Sequence, residues 1–112
     1  AEALDDRLGR LVFWSGESHV AHLAVVRTPY RDALREHLDS NRIGSDIHYP
    51  IPDAQQTVWK ESGMTPQGGG LRETHQAATE ITSIPCFPEL DDTEVDRVVE
   101  CLGAFSPSRA GA

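Results

Sequence analysis

Apolar side chains occupy both alternations of the stretch 19–27. Val20, His22, Ala24 and Val26 fall on one face of an extended chain, and Ala21, Leu23 and Val25 on the other. A strand half open to water alternates apolar with polar residues, so this pattern instead predicts a strand covered on both sides. The helices of one small domain supply one cover, and the second has to come from a partner surface. The period then lengthens. Thr28 and Pro29 suit a helix start, Thr as a cap and Pro because its φ is preset for the first turn. Tyr30, Ala33, Leu34, His37 and Leu38 recur at helical spacing. Gly44 is read as the left-handed stop of that helix.

Residues 45–49 predict a second strand, ended by Pro50 and Pro52, which cannot donate to a ladder. From residue 55 to residue 70 no period persists, and Gly63, Pro66 and the triple Gly68-Gly69-Gly70 predict a flexible surface loop. Helical spacing resumes over residues 71–83 through Ala77, Ala78 and Ile81, and residues 84–87 predict a third short strand. Asp91 with Glu94 three positions on makes a capping box. Val95, Val98, Val99 and Leu102 then form the stripe of a last helix. Nearer the start, residues 11–14 are strand-like and residues 15–18 read as a turn. The tail beyond Gly103 predicts fraying. This order is that of an α+β domain: a small, mostly antiparallel sheet with helices packed on one face.

Composition narrows the class. At 112 residues the chain has the size of one domain, and a 38% hydrophobic, 25% charged composition is globular rather than disordered. The net charge of -8 repels nucleic acid and anionic membranes, and the ten basic residues are scattered. No stretch approaches the roughly 20 apolar residues of a membrane span. No secretory pattern is read at the start, so the expected location is cytoplasmic. The two cysteines, Cys86 and Cys101, are too few for a disulfide scaffold or a four-ligand zinc site. They are expected as reduced, buried thiols.

Most candidate chemistry has a plainer explanation. His19 and His22 are three apart, which on a strand puts them on opposite faces, so no shared metal is expected. His37 falls beside an apolar helical face and is read as a packing residue. His75 has no carboxylate or cysteine at ligand spacing. Asp91 and Asp92 cap a helix. Cys86 has no neighbouring base or cation to lower its pKa, and no Gly-x-Ser-x-Gly elbow exists. The only lysine, Lys60, stands in a polar loop. His48 and Tyr49 differ, because they end a predicted strand ahead of a proline-stiffened turn. Rigid loops at strand ends are where sites are presented. The alternative for Tyr49 is a ring that covers the edge of the core.

His48-Tyr49-Pro50-Ile51-Pro52 is similar to the His-Tyr-Pro-x-Pro signature of the DegT/DnrJ/StrS sugar aminotransferases. Residues 22–27 and 31–34 resemble the opening strand and first helix of that family's small C-terminal domain. Residues 84–90 resemble its terminal motif and residues 94–99 its last helix. The resemblance covers 19–103, with 1–18 as a lead-in and 104–112 as a flexible tail. It implies the small domain of a fold-type I, homodimeric enzyme. Such enzymes use pyridoxal phosphate to move an amino group from glutamate or glutamine onto a nucleotide-linked keto-sugar. On this reading His48 and Tyr49 face the substrate and no residue here is catalytic. A large domain, in the same or a separate chain, supplies the cofactor lysine, and the isolated chain is expected to bind no cofactor. Two departures stand out. Ala54 occupies the place of a second family histidine, and the Gly68-Gly69-Gly70 insert replaces a more ordered approach to the next helix. The reading from another class is a stand-alone, non-catalytic interaction module descended from that domain.

Overall fold

The computed structural model describes residues 9–11, 22–64 and 70–107. The expectations for residues 12–21, for Gly68 and Gly69 and for the end of the tail lie outside them. Among the described residues, three short strands and four helices follow in the order β1 (Arg10–Leu11), β2 (Ala24–Arg27), α1 (Arg31–Ser40), α2 (Thr57–Ser62), α3 (Arg72–Glu80), β3 (Ile81–Ile84) and α4 (Asp92–Gly103). The sheet is antiparallel in the order β1-β2-β3. Val26 stands opposite Thr82, and Ala24 opposite Ile84.

The α+β arrangement expected from the pattern is present, with helices on one face of the sheet. Val26 enters the core from β2, Leu34 and Leu38 from α1, and Val98, Cys101 and Leu102 from α4. Ile43 and Phe105 close it, with Ala33 and Ile84 packed alongside. His37 is a packing residue, as its spacing suggested. Its ring stacks at a tilt on Phe105, and its Nε2 lies 2.7 Å from the Cys101 carbonyl, so it ties α1 to α4. Burial pushes the Cys101 thiol pKa up. The stripe of α4 is only half covered: Val98 and Leu102 are buried, while Val95 and Val99 are exposed. Tyr30 is exposed as well, and it is the N-cap of α1 rather than part of the buried face.

Three local expectations are corrected. The left-handed stop of α1 is Arg42, with φ 60°, and not Gly44. Arg42 N–H donates to the Asp39 carbonyl and Ile43 N–H to the Leu38 carbonyl, both at 2.9 Å. That pair of bonds is a Schellman ending, and Ile43 and Leu38 are both buried, as the motif requires. A side chain in the left-handed region is disfavoured by roughly 1–2 kcal/mol. Arg42→Gly is therefore expected to stabilise the fold by about 1 kcal/mol, net of the extra freedom glycine gains when unfolded. A higher urea midpoint at unchanged slope checks this.

The second correction concerns residues 55–70. A 3-10 turn at Asp53–Gln55 leads into α2, which Gly63 ends at φ 73°. Lys60 is thus on a helix, not in a loop. The third is that α3 stops at Glu80, and the strand is Ile81–Ile84 rather than 84–87. Ile81 and Thr82 are β-branched and favour the extended chain, while Pro85 ends it.

Arg27 and Arg31 fasten this junction. The Arg27 Nε donates to Glu80 Oε2 at 2.7 Å. That bond, aided by one from Gln76, holds the Glu80 carboxyl below its ordinary pKa. Arg31 Nη1 donates to the carbonyls of Ala78 and Ile81, at 2.9 and 3.4 Å.

Candidate functional site

The site is built on the outer edge of β3. Ser83 N–H donates to the Asp46 carbonyl at 2.6 Å, and Asp46 N–H donates back to the Ser83 carbonyl at 3.1 Å. The Thr82 hydroxyl donates to the same Asp46 carbonyl. The strand expected at 45–49 is reduced to this one antiparallel bridge. The turn residues before it are held by Arg35, whose guanidinium donates to the hydroxyl and carbonyl of Ser45.

Two residues beyond the bridge stand His48 and Tyr49, joined by a cis peptide bond. Their rings meet edge to face, with centroids 5.3 Å apart and planes at 85°. His48 is half-buried and Tyr49 is 70% exposed, so Tyr49 does not cover the core. The His48 Nδ1 lies 2.8 Å from the buried Ser83 hydroxyl. Its Nε2 lies 3.9 Å from Asp46 Oδ2. A shallow depression of about 380 Å³ opens here, lined by Asp46, His48, Ser83 and Cys86 among others.

The sequence reading singled out His48 and Tyr49 but missed Asp46 and Ser83. Asp46 carries a recognisable signal, since positions 46 and 48 share a side of an extended chain. Ser83 carries none, because only the fold brings it to His48 across 35 positions.

The remaining candidates fall elsewhere. His22 is exposed at the foot of β2. His75, on α3, lies 2.6 Å from Gln55 Nε2 and anchors the 3-10 turn. Among the described residues no three His, Cys, Asp or Glu side chains come together as a metal site. Cys86 is half-buried and Cys101 buried, and neither is in a disulfide. Lys60 is exposed on six-residue α2, and the depression at His48 does not reach it. An exposed surface lysine does not fit a Schiff-base site for pyridoxal phosphate, which needs an enclosed amine and a cradle for the phosphate. In the same stretch of sequence, Ile51, Val58, Trp59 and Met64 are all exposed. No helix among the described residues is long and apolar enough to cross a membrane.

Comparison with known proteins identifies the family. The sequence model of the DegT/DnrJ/EryC1/StrS aminotransferase family matches residues 3–103. A pleiotropic regulatory protein of Geobacillus stearothermophilus is 35% identical over 106 aligned residues, a match that covers 91% of this chain and 28% of that protein. The dTDP-3-amino-3,6-dideoxy-alpha-D-galactopyranose transaminase of Aneurinibacillus thermoaerophilus is 35% identical over 89 residues, covering 80% of this chain and 23% of its own length. The crystal structure of DesV of S. venezuelae in complex with a ketimine intermediate superposes with a TM-score of 0.76 at 29% identity. That match takes in 98% of this chain and 29% of that one. The chain spans about a quarter of the length of the curated relatives it matches.

Proposed function

The chain belongs to the DegT/DnrJ/EryC1/StrS aminotransferase family, and from that membership we propose that it is the small C-terminal domain of a nucleotide-sugar aminotransferase. In this reading His48 and Tyr49 contact a nucleotide-linked keto-sugar, and a large domain holds the pyridoxal phosphate that transfers the amino group. The observation that carries the reading is the ring pair itself. His48 and Tyr49 stand together at the edge of the sheet, one half-buried and one exposed. A buried, rigid edge that presents two polar rings outward suits a surface that closes on a ligand.

Partnership with the large domain is part of the proposal. Ile51, Val58, Trp59 and Met64 follow the ring pair in sequence and expose apolar side chains, while Val95 and Val99 leave half the stripe of α4 uncovered. Exposed apolar surface of this kind marks interaction sites.

The test is reconstitution of the chain with a family large domain. His48→Ala and Tyr49→Ala are each expected to lower the specificity constant for the nucleotide sugar by roughly ten- to a hundredfold, the loss of about 1–3 kcal/mol of polar contact. Unchanged kinetics in both variants would make the pair structural and sink the reading.

A further inference from the structure

We propose that Ser83 is a positioning residue that fixes the tautomer and aim of His48, so that its Nε2–H is offered to an oxygen acceptor of the substrate. The proposal rests on the reading that His48 faces substrate, and it adds a residue which that reading lacked. A neutral imidazole has one N–H and one bare nitrogen, and the hydrogen bond at one nitrogen decides the state of the other.

Three contacts define the ring. Asp46 Oδ2 faces Nε2 at 3.9 Å. The negative charge of that carboxylate favours a proton on the nitrogen that faces it, which biases the ring toward Nε2–H and leaves the bond at Nδ1 to fix it. Nδ1 is then an acceptor, and the Ser83 hydroxyl at 2.8 Å donates to it. Tyr49 lies edge to face with the same ring and limits its rotation. Ser83 is itself fixed, because its backbone N–H and carbonyl are both bonded to Asp46 and the residue is 7% exposed.

The Asp46 carboxylate orients the proton without consuming it. Its Oδ1 accepts from Ile47 N–H at 2.8 Å, which holds the carboxylate in place. At 3.9 Å its other oxygen is beyond hydrogen-bond reach of Nε2. The Nε2–H therefore has no partner that satisfies it from Asp46, while the side chain of His48 is 27% exposed. A donor held in one direction before the ligand arrives loses little freedom on binding.

The experiment is nitrogen-detected NMR of the 112-residue chain labelled with 15N-histidine, at a pH where the His48 ring is neutral. Nδ1 is expected at the bare-nitrogen position and Nε2 at the protonated one. Ser83→Ala should move the two shifts toward each other as the tautomers mix, and Ser83→Thr should restore them. A wild-type Nδ1–H tautomer overturns the proposal, as do shifts unmoved in a Ser83→Ala chain whose amide spectrum shows it folded. The wild-type measurement and Ser83→Thr decide the matter if Ser83→Ala does not fold. In the reconstituted enzyme Ser83→Ala is expected to raise KM for the nucleotide sugar about five- to tenfold, with kcat within roughly twofold. Shifts that move while KM stays put would overturn the substrate role. That pattern would fault the reading of His48 rather than its contact with Ser83.

Discussion

Leu38→Ala is expected to cost about 2–5 kcal/mol, the range for truncating a fully buried leucine and leaving a cavity. Leu38 is 0% exposed. It packs beside Leu34 on α1, and its contact with Ile43 closes the Schellman ending of that helix. One substitution therefore removes core contacts and loosens the turn that leads toward Asp46 and His48. Domains of this size hold about 5–15 kcal/mol in total, so the variant is expected to lose a large part of its stability. Urea unfolding followed by far-ultraviolet circular dichroism measures it. A loss under about 1 kcal/mol would mean that Leu38 is not a core residue.

Arg31→Ala is expected to be the other severe change, at about 2–3 kcal/mol. The cause differs, since Arg31 is charged and its bonds go to backbone. Its side chain is 15% exposed, and it donates to the Ala78 and Ile81 carbonyls. A cation there meets the C-terminal end of α3, where carbonyls lack helical partners and the helix dipole favours positive charge. Charged hydrogen bonds of this sort contribute about 1.5–3 kcal/mol. The neighbouring pair with Asp32 is 88% exposed on the acid side and adds little. Arg31→Lys keeps the charge but not the forked geometry. It is expected to recover less than half of the loss in the same unfolding measurement. Full recovery would show that charge alone matters.

Legibility in the sequence followed the range of the interaction. α4 was readable because its capping box is local: Asp91 accepts from Glu94 N–H, and Asp91 N–H donates to the Glu94 carboxylate. The buried faces of α1 were readable because Leu34 and Leu38 lie one turn apart. The stop after α1 was not, since Gly44 is the residue that favours a left-handed φ and Arg42 is the one that adopts it. Buried Ile43 and Leu38 decide the position, and that contact outweighs the cost at Arg42. The strand at 45–49 failed for a related reason. The prolines at 50 and 52 gave it the look of a strand with a clear end, but only Asp46 meets β3. α2 was missed because its six residues are exposed and carry no apolar stripe toward the core. In the site, His48 and Tyr49 stood out by motif and by their place before two prolines. Ser83 could not stand out, because a serine between Thr82 and Ile84 has no distinguishing chemistry until the fold sets it against a histidine.

The outer edge of β3 leaves no room for another strand. Ser83 spends both its backbone groups on Asp46. Ile81 N–H donates to the Ala77 carbonyl, and the Ile81 carbonyl accepts from Arg31. Every outward-facing backbone group of that strand thus has a partner within its own chain. Bare strand edges are the templates on which proteins add foreign strands and build fibrils. This domain is closed to that route along β3, so any protein that binds this side must do so through side chains rather than by extending the sheet.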